Sequence, residues 1–194
     1  METTRVGVPA GRRGSGAVTA AVGVAVAALA IVFAFNATDA HSTWFGVFKL
    51  VHVGGAVFWV GGGVLLTVLA LRAERAGDPD EMATIARQAM FVGERLFAPV
   101  GLLVFAMGIT MVINLNLSWG TFWVDAGLVG YALTFTTGLM VLAPRVRKIE
   151  ALLREKGAAA PETQAAIREV LLITRVDQGV LLLVVADMLM KPFS

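Results

Sequence analysis

Few residues in this chain can do chemistry, and most of those sit inside apolar surroundings. Phe48-Lys49-Leu50-Val51-His52-Val53-Gly54-Gly55 places a lysine and a histidine three residues apart. On a helix that spacing puts both on one face. Arg175, Asp177, Gln178 and Asp187 punctuate a second apolar stretch, and Glu94 and Arg95 stand at the edge of a third. Ionisable groups in an apolar segment are costly, so each needs a partner or a role. Lys49, His52 and Asp187 form one expected polar layer. Arg175, Asp177, Glu94 and Arg95 form another. Met107 and Met111 are four apart, and Met188 and Met190 close the last stretch. With His52 as an axial or metal ligand, such sulfurs suit haem iron or soft copper. Cofactor-binding candidates are therefore His52, Lys49, Met107 and Met111, and the cofactor they suit is haem b.

The elements that must position these residues are set by composition. The 194 residues are 57% hydrophobic and only 15% charged, with no cysteine and two histidines. Soluble domains average about 25% charged residues. The missing cysteines exclude disulfides, iron–sulfur clusters and thiolate zinc sites. Two histidines exclude a bis-histidine dihaem cytochrome within one chain. The Gly-rich runs lie within apolar stretches, so they are not dinucleotide loops. No Ser/His/Asp elbow or His-Glu-x-x-His motif is present.

A membrane-crossing helix needs about 20 apolar residues. Five stretches meet that length: about 17–35, 44–71, 97–115, 124–143 and 170–190. The expected fold is an all-α integral membrane protein, a four-helix transmembrane bundle over 44–194 plus one N-terminal transmembrane helix within 17–43. Residues 1–16 form a tail. The first stretch is longer than the h-region of a signal peptide, and the site near Thr38-Asp39-Ala40 is weak, so it is expected to be retained. Thirteen of the 16 basic residues fall in the tail, in the loop after Leu71 and in the loop after Ala143. The positive-inside rule then puts the N-terminus inside and the C-terminus outside. Trp44, Trp119, Phe122 and Trp123 form an aromatic belt at the outer interface. The net charge of +2 follows from topology and calls for no nucleic acid.

Both inner loops contain helix punctuation. Gly77 follows a helix end, Asp78 is a helix N-cap and Pro79 a first helical residue, with Glu81 three after the cap. Gly157 and Pro161-Glu162 repeat the pattern, so two helical hairpins are expected. Pro99 is expected to kink the third segment near its inner end. Gly54, Gly55, Gly61, Gly62 and Gly63 allow close approach of a second helix or a flat ligand. Between the polar layers the stretches are apolar apart from Thr134, Thr136 and Thr137, which disfavours a channel.

Taken together, Phe48-Lys49-Leu50-Val51-His52-Val53, Val57-Phe58-Trp59-Val60-Gly61-Gly62, Arg95-Leu96-Phe97-Ala98-Pro99, Ala143-Pro144-Arg145-Val146-Arg147 and Asp187-Met188-Leu189-Met190-Lys191-Pro192 resemble a bacterial family of predicted integral membrane proteins of unknown function, DUF2269-like. The resemblance covers about 44–193. It implies the cytoplasmic (inner) membrane of a bacterium as the location and a lipid bilayer as the surroundings. The Lys49…His52…Trp59 helix is also distantly similar to copper-resistance CopD-type domains and to HemJ-type membrane proteins. In the latter the equivalent histidine is implicated in haem binding, and only Lys49 and His52 carry over. Three function classes follow: a haem-binding or redox membrane protein, a copper or small-solute permeation protein, and a non-catalytic subunit that binds itself or another membrane protein through its glycine faces.

Overall fold

The computed structural model describes residues 43–192. They form four helical rods. The first is α1, Thr43–Ala76. The second joins α2, Pro79–Val92, through a π-helical segment, Gly93–Phe97, to α3, Ala98–Asn114. The third joins α4, Phe122–Thr136, through a second π segment, Thr137–Leu142, to α5, Ala143–Glu155. The fourth is α6, Pro161–Met190.

This corrects the expectation of five membrane-spanning helices. By length and composition, three helices among the described residues can cross a membrane: Trp44–Ala76, Pro79–Asn114 and Phe122–Glu155. The fourth rod falls short because Arg175, Asp177 and Asp187 all interrupt its apolar part. The stretch at 17–35 lies outside the described residues.

The rods outreach the bilayer. At about 1.5 Å per residue, a rod of 34 residues is ~51 Å long, against ~30 Å of hydrocarbon. The surplus is at one end. The inner connections are helical hairpins, as the cap and turn residues indicate, and their arms at 79–92 and 143–155 continue the spans. Their outward faces hold the charges, while Met82, Ala83, Ala86 and Ile149 face inward. With Ala70 and Ala73 of α1 and Ile167 and Leu171 of α6 they form the best-buried core of the molecule. Ile149 and Ile167 are fully buried. Amphipathic arms of this kind fold by burying one apolar face in water.

The hairpin punctuation is as expected. Gly77 and Gly157 take left-handed backbone at φ +70° and +82°, a conformation that favours glycine. Asp78 caps α2, accepting from the Asp80 and Glu81 backbone N–H groups at 2.9 and 3.4 Å. Gln164 joins the two turns, its Nε2 donating to Ala158 O at 2.8 Å and Pro79 O at 3.4 Å. The opposite end gathers the exposed aromatics Trp44, Trp119 and Phe122.

Each π segment is the local answer to a proline. Pro99 and Pro144 lack an N–H and would strike the carbonyl four residues back in a regular helix. The chain widens instead. The Ala98 N–H donates to Gly93 O and the Ala143 N–H to Gly138 O, each five residues back. Both segments share the pattern Gly-x-x-x-x-Ala-Pro. They stand at matching heights, since the inner arms are 14 and 13 residues long.

Candidate functional site

His52 lies on the face of α1 that meets α3. Its Nδ1 is 2.7 Å from Val104 O. A carbonyl oxygen only accepts, so Nδ1 must carry the proton. In the neutral ring this leaves the lone pair on Nε2. The close approach is possible because α3 offers no side chain at Gly108. A Cβ there would lie 3.0 Å from the imidazole Cε1. Gly55 does the same from the α1 side, where a Cβ would meet Val104 Cγ2 at 2.7 Å.

Met107 and Met111 pack on the same α1–α3 seam against Phe48, four residues before His52 on α1. Met107 and Phe48 are buried. Lys49 is exposed. Asp187 is half-buried and its Oδ2 is enclosed without a hydrogen-bond partner. Among the described residues, no hydrogen bond or ion pair joins Lys49, His52 and Asp187 to one another.

The inner polar layer has a different membership from the expected one. Arg175 Nη2 bonds Glu74 Oε2 at 2.5 Å, linking α6 to α1 with both side chains about one-quarter exposed. Glu94 is exposed, and Arg95 stands over the Phe91 ring at 6.0 Å. Asp177 is half-buried. The π segments bring Glu94 and Arg95 to the height at which the apolar halves begin.

Three features escaped sequence reasoning. Gln178 is buried and its Nε2 donates to Val60 O at 3.1 Å, its side chain filling the space a Cβ on Gly63 would occupy. Trp59, Phe105, Tyr131 and Phe135 form an aromatic ladder across three rods, with ring centroids 4.5 to 6.1 Å apart and the Tyr131 hydroxyl enclosed without a partner. Arg145 in turn is doubly held, by Glu169 Oε1 at 2.8 Å and by the Val141 carbonyl of the second π segment at 3.1 Å. That bond and the guanidinium charge hold the Glu169 carboxyl below its usual range. A bond from Lys156 at 2.9 Å lowers Glu162 likewise.

The glycines divide between two environments. Gly55, Gly62 and Gly63 receive Val104, Phe97 and Gln178 and so pack within the chain. Gly54 and Gly61 have nothing within 4 Å of a Cβ and are exposed.

Among the described residues, no group of three or more His, Cys, Asp or Glu could hold a metal ion. What the site does offer is one imidazole nitrogen with a free lone pair, oriented by a main-chain carbonyl. Residues 46–192 match the family described as predicted integral membrane protein (DUF2269). No curated protein and no solved structure matches the chain.

Proposed function

The chain belongs to this DUF2269 family of predicted integral membrane proteins, and from that premise we propose that it binds haem b in the bacterial inner membrane, with His52 as the residue that would hold it and electron transfer as its chemistry. One observation carries the proposal: the 2.7 Å contact from His52 Nδ1 to Val104 O. Ligating histidines characteristically donate their second ring N–H to a carbonyl or carboxylate, which fixes the ring and raises the basicity of the ligating nitrogen. His52 would hold the iron, and Met107 or Met111 could assist only by leaving its packing on Phe48. Lys49, one turn outward and exposed, suits a propionate carboxylate. When bound, the haem supplies a one-electron couple. The protein supplies the oriented nitrogen and the enclosing apolar helices.

The test is the absorbance spectrum of gently purified protein. A Soret band is expected, lost in His52→Ala while helix content by circular dichroism is unchanged. A colourless protein at full yield overturns the proposal.

The orientation in the bilayer is part of the same proposal. The turns at 77–78 and 156–160 face the cytoplasm, supported by the crowding of Lys and Arg on the inner arms. The chain has no native cysteine, so a single cysteine at Ala159 can be labelled cleanly. Labelling by an impermeant maleimide in inverted vesicles but not in intact cells is expected. The reverse pattern refutes the orientation.

A further inference from the structure

A groove of about 480 Å³ opens on the outside of the first hairpin, lined by Leu66 of α1 and by Thr84, Arg87, Gln88, Phe91 and Val92 of α2. Its polar and apolar walls are separated along its length. Thr84, Arg87 and Gln88 lie toward the inner turn. Phe91 and Val92 lie toward the first π segment, and the antiparallel turn at 77–78 brings Leu66 roughly level with Ala89.

The height of the groove matters. Outward of Arg95, the second rod has no charged residue to its end at Asn114. The hydrocarbon of the bilayer therefore begins near Val92 to Phe97. Arg87 is about 8 Å of helix further in. The headgroup layer of one leaflet is roughly 5–8 Å deep. The groove thus crosses the boundary with its cation among the headgroups and its apolar wall at the edge of the acyl chains. Phe91 is 61% exposed in this wall, an unfavourable position for a phenyl ring in water and a favourable one in lipid.

Arg87 is also available. It is exposed, and its Nη2 donates to Thr84 Oγ1 at 3.0 Å, which orients the guanidinium. Among the described residues, no carboxylate lies within ion-pair distance of it. Gln88 adds a neutral donor beside it, and Arg95 adds a second positive charge over Phe91. A forked guanidinium with an adjacent amide suits a phosphate diester.

We propose that this groove seats one anionic phospholipid of the inner-end leaflet. Its phosphate meets Arg87 and Gln88, and an acyl chain lies along Leu66, Phe91 and Val92. The proposal is independent of the haem reading, because no residue is shared.

The test is native mass spectrometry of the full chain released from nanodiscs made of equal parts phosphatidylglycerol and phosphatidylcholine. Wild-type protein is expected to retain one phosphatidylglycerol in preference to phosphatidylcholine. Arg87→Gln is expected to lower that preference about fivefold, the value of one well-placed cation at the surface. Phe91→Ser should also reduce retention, and Arg154→Gln, at the exposed end of α5, should leave it unchanged. Retention unaffected by Arg87→Gln overturns the proposal. So does an equal loss in Arg154→Gln, which would mean diffuse surface charge. Unchanged retention in Phe91→Ser, with inorganic phosphate displacing the lipid, would mean a phosphate site without a lipid.

Discussion

The inner and outer halves of the bundle are made of the same four rods, yet they are held together by different means. In the inner half, α2, α5 and the ends of α1 and α6 surround a core of Ala, Met, Ile and Leu side chains, with Ile149 and Ile167 sealed from solvent. Ion pairs rim it: Arg145 with Glu169, Lys156 with Glu162, and Arg175 with Glu74. In the outer half Leu50, Val57, Leu133 and Leu183 point outward and glycines admit close contacts inside. Gly101 receives Trp59, Gly108 receives His52, Gly127 receives Met188 and Gly130 receives Val184. Burying leucine gains little when the surroundings are lipid tails, so close approach and a few polar bonds must supply the cohesion. In water, by contrast, apolar burial is worth about 25 cal/mol per Å². The change in packing chemistry falls at the π segments.

The comparison breaks most sharply in the inner core. Ile167→Ala removes a fully buried side chain from a water-facing four-helix core. Its expected cost is about 2–5 kcal/mol. The loss should also be local. Hydrogen exchange should accelerate in 79–92 and 143–155 while 98–114 keeps its protection, because the lipid half does not rely on that core. Uniform acceleration along the second rod would show that the two halves unfold as one unit, and the distinction between them would not stand.

How far the sequence could be read follows the same division. The apolar stretches at 97–115 and 124–143 coincide closely with the lipid halves of the second and third rods, because continuous hydropathy is a strong signal. Asp78 and Gly77 were legible as punctuation, because cap and turn chemistry is local. The inner arms were legible as helix ends from Gly77, Asp78, Gly157 and Pro161, but not as amphipathic arms around a buried core. Their Arg, Lys and Glu residues mark a loop when charge is counted, and mark a solvent face only once the apolar residues between them are seen to align. Pro99 signals a disturbance, and the matching Gly-x-x-x-x-Ala-Pro at Pro144 carries the same signal. The partners of the polar residues were the least legible. Glu74 and Arg175 stand 101 residues apart, and Val104 meets His52 through its carbonyl oxygen, which every residue possesses. Such pairings depend on helix rotation, and no local pattern records it.

The glycine contacts break by a smaller and different route, through Gly63 at the height of the π segments. A methyl group there would occupy the position of the Gln178 side chain, at a buried crossing of α1 and α6. Gln178 would have to swing away and give up its bond to Val60 O, leaving a buried amide without its acceptor. Overpacking of this kind costs about 1–3 kcal/mol. Gly63→Ala should therefore lower the thermal midpoint in detergent less than Ile167→Ala does. The mechanism makes a second, sign-specific claim. If steric conflict with Gln178 is the cause, Gln178→Ala in the same chain should recover part of the loss, although Gln178→Ala alone is destabilising. The double variant isolates the coupling, because the three atoms nearest a Cβ on Gly63 all belong to Gln178. Strictly additive losses would mean that the methyl group disturbs α1 itself. The crossing would then depend on glycine for its backbone and not for the approach of a neighbour. A matched control is available two residues earlier. Gly61 faces outward with open space around it, so Gly61→Ala meets no neighbour within the chain and, with the better helix propensity of alanine, should be neutral or slightly stabilising.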